Sequence, residues 1–325
     1  MYYFQSLFFS LRRSGGGHSL LPTIHFLLLA LLPLTATAQD TKVADQILLY
    51  QRVTGGWPKN IDMSVPLSDA EKAQVLAEKK RTDDSTIDNG ATSKQLKYLA
   101  ETYQLTREEK YRTAFLKGIQ YLLSGQYPNG GWPQFWPNPK GYQVHITYND
   151  DAIANILFLF QRIIAQEPPY QGDLTTDSLR QHLQESFDKG IDIILKTQII
   201  VDGKPTVWCQ QHDHITLQPA KARAYELPSF CSAESVPLVQ LLMSLPRPSP
   251  EVKKAIDGAI EWFKSHQLPD GRWARFYDLK EGKPFFCDRD GIPRRSINEI
   301  GDERRYGYQW YNTRPNQILQ KTKNL

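Results

Sequence analysis

Gln126-Tyr127-Pro128-Asn129-Gly130-Gly131-Trp132-Pro133 is the phrase from which the organisation of the chain follows. An earlier copy reads Gln51-Arg52-Val53-Thr54-Gly55-Gly56-Trp57-Pro58, and two looser copies run from Gln198 through Asp202-Gly203 to Trp208 and from Gln267 through Asp270-Gly271 to Trp273. The four tryptophans stand 75, 76 and 65 residues apart. A repeat of that period holds a helix pair and a loop.

The intervening stretches agree. Before three of the phrases runs a helical pattern with a shared small residue, at Gly118-Ile119, Gly190-Ile191 and Ala259-Ile260. Its apolar positions recur at helical spacing, as in Phe115, Ile119 and Leu122. The small residue lets a neighbouring helix come close. Ahead of each lies a second helix, around Leu96–Tyr103, Ile153–Ile164 and Val236–Leu242. The middle one is apolar nearly all round and is expected to be buried on every side. Asp40 to Gln51 reads as a further outer helix, and no alternating strand pattern exceeds a few residues. The expectation is an all-α fold, an α/α toroid of three helical hairpins with long loops at its mouth.

Composition bounds the function. With 40% hydrophobic residues and 20 glycines in 325 the chain is globular. The net charge of +4 falls to +2 without Arg12 and Arg13, too even for a nucleic-acid binder that works by charge. Those arginines precede the apolar run Phe26–Leu34, and Ala36-Thr37-Ala38 follows as a small-x-small cleavage site. Nine apolar residues broken by a proline fall short of the ~20 that span a bilayer. Residues 1–38 therefore read as a secretory signal peptide and 39–325 as one catalytic domain, secreted or periplasmic, monomeric and without membrane contact after cleavage. Three cysteines, Cys209, Cys231 and Cys287, exclude a disulfide-built scaffold; Cys209 and Cys231 bridge, or all three are buried thiols. No CxxC or His/Cys pairing signals a zinc site.

Each inner helix is entered through a polar phrase: Thr86-Ile87-Asp88-Asn89-Gly90, Thr147-Tyr148-Asn149-Asp150-Asp151 and Ser232-Ala233-Glu234. One such side chain is an ordinary helix cap. Parallel inner helices bring Asp88, Asn89, Asn149, Asp150, Asp151 and Glu234 to one mouth, however, where carboxylates repel unless a cation or basic group sits among them. Oxygen-only donors point to a hard cation such as Ca²⁺, with Asp88 and Asp150 as its ligands. The long aperiodic loop from Trp208 to Glu226 leads to the same mouth. His212 and His214, flanking Asp213 in that loop, leave open a metal site, a general base or plain hydrogen-bonding residues. The C-terminal stretch adds Arg289, Arg294, Arg295, Arg304 and Arg305 among Tyr306, Tyr308, Trp310 and Tyr311. Acids, arginines and aromatic faces together suit an anionic polysaccharide.

Gly-Gly-Trp57-Pro-Lys-Asn-Ile-Asp, Ile-Thr-Tyr-Asn-Asp150-Asp-Ala, Val-Trp208-Cys-Gln-Gln-His-Asp, Pro-Ala-Lys-Ala-Arg223-Ala-Tyr-Glu and Asp-Gly-Arg-Trp273-Ala-Arg-Phe-Tyr-Asp-Leu resemble the pectate lyases of polysaccharide lyase family ten, from about Ala44 onward. The resemblance implies calcium-assisted β-elimination of polygalacturonate or pectate oligosaccharides on an α/α toroid. It implies Arg223 as Brønsted base, Asp88, Asn89 and Asp150 in the calcium and substrate-carboxylate cluster, and Arg289 with Arg304 or Arg305 as substrate-binding arginines. An arginine base is demanding, because its pKa exceeds ~12 in water; Ca²⁺ and Lys221 nearby would favour its neutral form and give an alkaline optimum. The rival readings are a metal-independent inverting glycoside hydrolase using Asp88 and Asp150 and a non-catalytic uronan-binding protein.

Overall fold

The computed structural model describes residues 41–323. The leader assigned to residues 1–38 lies outside them. Within them the protein is mostly helical. In chain order the helices are α1 (Thr41–Tyr50), α2 (Asp69–Glu78), α3 (Ser93–Thr106), α4 (Glu109–Ser124) and α5 (Ala152–Ile164). There follow α6 (Asp177–Thr197), α7 (Ser232–Met243), α8 (Pro250–Ser265), α9 (Asp302–Gly307) and α10 (Asn316–Lys323). α3 packs on α4, α5 on α6 and α7 on α8, while α5 also touches α3 and α7. Polar caps start several of them. Ser68 and Glu71 form a reciprocal capping box at α2, and Ser249 caps α8, whose first residue is Pro250.

The repeated phrase is a bonding device. Trp57, Trp132, Trp208 and Trp273 are all buried, and each indole N–H donates to the carbonyl of a residue in the helix before it: Ile47, Leu122, Ile194 and Phe263. Three of these bonds span ten residues and the third spans fourteen, because the hairpin of strands 200–201 and 204–205 lengthens that copy. The leading glutamine closes each loop. Gln51, Gln126 and Gln198 each donate both to a carbonyl within the phrase and to a carbonyl of α4, α6 or α8 respectively. Gly130 has φ +98°, and a Cβ there would lie 2.1 Å from the Lys189 carbonyl oxygen, so only glycine serves.

The shared small residue also has a packing reason. A Cβ at Gly118 of α4 would meet Leu96 of α3 at 2.6 Å, and one at Gly190 of α6 would meet Leu157 of α5 at 2.4 Å. Helix α5 is buried over most of its surface, from Ala152 to Ile163. The strands are two or three residues long and pair antiparallel, Ile146–Thr147 with Gln211–His212 and Ser229–Cys231 with Phe276–Asp278 among them. Ile146–Thr147 of the first pair lies just before the entrance to α5, and Ser229–Cys231 runs directly into α7. A second, smaller core of Tyr225, Cys231, Phe276, Phe285, Phe286, Cys287, Ile300 and Trp310 lies under the C-terminal loops. All three cysteines are free and buried, so Cys209 and Cys231 are not bridged. No helix among the described residues is long and apolar enough to cross a membrane.

Candidate active site

The turns that enter α3 and α5 are copies of each other. Asp88-Asn89-Gly90 and Asn149-Asp150-Asp151 each form one 3-10 turn, and the middle residue is left-handed in both, with φ 53° at Asn89 and 50° at Asp150. Asparagine and aspartate tolerate that region better than most residues. The consequence is a division of labour. The first residue of each turn, Asp88 or Asn149, is buried against the neighbouring turn, and the second, Asn89 or Asp150, is turned outward.

The two turns pack together and open on a cavity of about 330 Å³ with an almost wholly polar lining. Asp88, Asn89, Asn149 and Asp150 line it together with Arg223, Glu226, Arg275, Tyr308, Lys59 and Gln210. Asn149 bridges the acids: its amide donates to Asp150 Oδ2 at 2.7 Å and to Asp88 Oδ1 at 3.4 Å. Its own Oδ1 accepts from Gln210 at 2.8 Å and from Arg275 at 3.4 Å. Lys59 pairs with Asp88. Glu234, from the first turn of α7, pairs with Arg275, whose side chain is 11% exposed, and accepts from the Cys231 thiol at 2.6 Å. The Asp150 carboxyl is pushed up to about 6, first by desolvation in the mouth, then by the charges of Asp88 and Glu234, which Arg275 only partly offsets.

Arg223 reaches the cavity from a tight turn in which Glu226 N–H donates to the Arg223 carbonyl at 2.9 Å. Its guanidinium donates to the Glu226 carboxylate through both Nε and an Nη, the Nε bond being 2.8 Å. The rings of Tyr225 and Tyr308 lie 5.3 and 5.8 Å from it. Burial by itself lowers the Arg223 pKa, but Glu226 outweighs that and raises it above the ordinary value. The side chain against Arg223 is thus a carboxylate that holds its charge, in place of the ammonium of Lys221 expected from sequence proximity. Tyr308 Oη donates to the same carboxylate at 2.8 Å.

The C-terminal arginines lie elsewhere. Arg289 is exposed and pairs with Glu303. Arg305 spends its guanidinium on the carbonyls of Ile297, Asn298 and Ile300. Arg304 is buried, 4.7 Å from the ring of Tyr225 and paired with Glu303, behind the wall that carries Arg223. None of the three lines the cavity. Arg275 does, and sequence reasoning passed over it although it stands in the phrase Asp270-Gly271-Arg272-Trp273-Ala274-Arg275. The available signal was its fixed offset of two residues from a repeat tryptophan. Glu226 and Lys59 were likewise not singled out as site residues, and Tyr308 stood only among the aromatics interleaved with the C-terminal arginines.

The profile of the pectic acid lyase family matches residues 51–272 and 269–319. A solved family 10 polysaccharide lyase from Cellvibrio cellulosa is 34% identical, with a TM-score of 0.80, over 88% of this chain and 92% of that one. A point mutant of family 10 polysaccharide lyase from the same organism, solved in complex with trigalacturonic acid, is 33% identical with a TM-score of 0.79 over the same shares. No curated protein matches. The class is therefore that of the polysaccharide lyases. Within it, the chain belongs to the pectic acid lyase family and is a pectate lyase of polysaccharide lyase family 10.

Proposed function

We propose that the protein cleaves polygalacturonate by calcium-dependent β-elimination, with Arg223 as the base. The observation that carries this reading is the gathering of Asp88, Asp150, Arg223 and Arg275 in one polar cavity. The relative bound to trigalacturonic acid supports an oligogalacturonate as ligand. In the reaction the C5 proton of a uronate passes to the base, the C4–O4 bond breaks with its electron pair leaving on O4, which takes a proton from water, and a C4=C5 double bond forms. Negative charge grows on the C6 carboxylate as the proton leaves. Cationic donors stabilise that charge more in the transition state than in the ground state. Arg275, locked by Glu234 and Asn149, presents a fixed donor of this kind. Arg223 acts once the proton that Glu226 holds on it has left, so the activity belongs to alkaline pH.

Asp88 and Asp150 suit a divalent ion. They are oxygen donors, and the Asp150 carboxyl is raised first by desolvation and then by the charges of Asp88 and Glu234, which Arg275 only partly offsets. Asp88 and Asp150 would hold Ca²⁺ there, and the ion would supply charge relief for the substrate carboxylate. The remaining parts of the reading belong with it: an α/α toroid of three hairpins, one catalytic domain over residues 39–325, a signal peptide over 1–38 and an exported monomer. Asn89, turned outward beside the acids, is a substrate contact, and Arg289 with one of Arg304 or Arg305 is a substrate contact only for a polymer that extends beyond the cavity.

The test is an assay on polygalacturonate with Ca²⁺ or excess chelator, followed by the ultraviolet absorbance of the unsaturated uronide. Absorbance that rises with Ca²⁺ and stops with chelator is expected. New reducing ends without absorbance would make the enzyme a hydrolase, and binding without turnover would make it a carbohydrate-binding protein.

A further inference from the structure

The histidine pair of the long loop separates in the structure. His212 is fully buried and satisfied: its Nδ1 lies 3.0 Å from the Leu217 carbonyl and its Nε2 accepts from the Cys209 N–H at 3.1 Å. His214 instead meets His145, from the turn before strand 146–147, with Asp213 between the two chain segments. Ligand atoms of His145, Asp213 and His214 all lie within 4.8 Å of one another, the group of three His, Cys, Asp or Glu side chains among the described residues that could close on one ion.

Three details set this cluster apart from a chance meeting of polar side chains. Nδ1 of His145 and Nδ1 of His214 are both buried without a hydrogen-bond partner, an orphaned state that native interiors rarely leave unexplained. The Asp213 carboxylate is divided. Its Oδ1 is committed to its own turn, accepting from Ile215 N, Thr216 N and Thr216 Oγ1 at 3.0, 2.7 and 3.0 Å, which leaves Oδ2 toward His145. The gap from His145 Nδ1 to that Oδ2 is 3.7 Å, too long for a hydrogen bond. It is close to the roughly 3.4 Å that separates two ligands of a tetrahedral ion with bonds near 2.1 Å. The backbone is held as well, since the Asn129 amide donates to the His214 carbonyl at 2.8 Å. The side chains of His145 and Asp213 keep 19% and 31% of their exposure, enough for an ion to enter.

We infer that His145, Asp213 and His214 form a binding site for a divalent transition-metal ion, Zn²⁺ being the best match to two imidazoles and one carboxylate. The site is separate from the oxygen-donor cluster of the mouth, and the softer nitrogen donors select against Ca²⁺. Its place in the fold gives it a positioning role. The strand pair Ile146–Thr147 and Gln211–His212 runs from it toward the cavity, where Tyr142, Asn149, Gln210 and Gln211 are lining residues, and the loop beyond leads to Arg223. An ion joining His145 to Asp213 and His214 staples the two segments at the root of that loop.

The experiment is calorimetric titration of the chelator-treated mature chain with Zn²⁺ alone, repeated with excess Ca²⁺ present, with Co²⁺ absorption as a report of coordination. Uptake of one Zn²⁺ per chain, indifferent to Ca²⁺, is expected, with a rise of several degrees in Tm. His214→Gln should weaken binding by more than the roughly 10–100-fold that loss of an outer-shell partner costs. Asp213→Asn keeps the turn acceptor while removing the ligand charge, so it should weaken binding with the apo Tm unchanged. No stoichiometric uptake, or uptake that both variants leave intact, would overturn the site. Because the readout is binding and not turnover, it stands or falls apart from the lyase reading.

Discussion

Glu226 grips Arg223 through two guanidinium nitrogens while the backbone of the same four-residue turn holds their main chains together. The pair is short-range and lopsided in burial: the Glu226 side chain is 2% exposed and that of Arg223 43%. Burial opposes the Glu226 charge, yet Arg223 prevails and keeps the carboxyl below its ordinary range. An arginine so held is an excellent carboxylate clamp and a reluctant base, and the choice between these roles can be tested.

Glu226→Gln removes the negative charge that keeps the proton on Arg223. The guanidinium pKa then falls, and the neutral form becomes available at lower pH. If Arg223 is the base, the rise of kcat with pH should move toward neutrality. A pure clamp has no such limb to move, and KM alone should change. Because Arg223 is nearly half exposed, the unpaired guanidinium can hydrate, and the variant should remain folded. A pH–rate profile of kcat and of kcat/KM decides between them.

The repeat tryptophans carry stability. Trp273 is fully buried, and its indole N–H donates to Phe263 O at 2.8 Å. Trp273→Ala should cost about 3–5 kcal/mol through the cavity it leaves and the lost bond. Denaturant unfolding should show the lower midpoint, with oligogalacturonate affinity unchanged under native conditions. Unaltered stability with weakened binding would instead make Trp273 a sugar platform.

That the hairpins were legible from sequence has a local cause. Trp57, Trp132, Trp208 and Trp273 each bond within their own repeat, so the pattern survives in a one-dimensional reading. Gly118 and Gly190 were readable for the same reason, as small residues facing a helix one step back. The mouth is different. Asp88 and Asp150 could be placed together because both sit at equivalent helix entrances of the repeat, but Glu226 and Tyr308 arrive on aperiodic loops stitched by strands of two or three residues. Arg275 was legible only through its offset from Trp273, and its bond to Asn149 joins positions 126 apart. Conversely, Arg289 and Arg305 lie in a conspicuous basic run, yet Arg289 pairs with Glu303 and Arg305 donates to backbone carbonyls.

Asp150 supplies a prediction with a definite sign. Its ordinary value of 3.8 is raised to about 6 in the fold. Between those values the native state keeps a proton that the unfolded chain releases, so the protonated form's stability is present below 3.8 and is lost as pH rises through about 6. Asp150→Asn should therefore raise Tm above pH 6, by removing one of three crowded carboxylates. The same substitution should abolish activation by Ca²⁺. In the native enzyme the Ca²⁺ concentration for half-activation should climb as pH drops below about 6, because protonation removes a ligand charge. Calcium titrations at several pH values, with melting curves on both proteins, check each half.

Arg223→Lys is the sharpest test of the chemistry. Lysine keeps the positive charge and can still pair with Glu226, so much of the substrate affinity should survive. It does not keep the planar fork, and its single amine sits at a different point from the guanidinium nitrogens now fixed by Glu226 and flanked by Tyr225 and Tyr308. If Arg223 takes the C5 proton, kcat should fall by about 100-fold or more with KM little changed, the mark of an interaction made in the transition state. Arg223→Ala should lose as much in kcat and more in KM, since the charge goes too. A clamp behaves in the opposite way: KM rises in both variants while kcat largely survives in Arg223→Lys. Steady-state kinetics on polygalacturonate across alkaline pH, at saturating Ca²⁺, separates the two. Near-native kcat in either variant would remove Arg223 from the proton transfer and move the base to another group lining the cavity, with Lys59 and Tyr308 the first to examine.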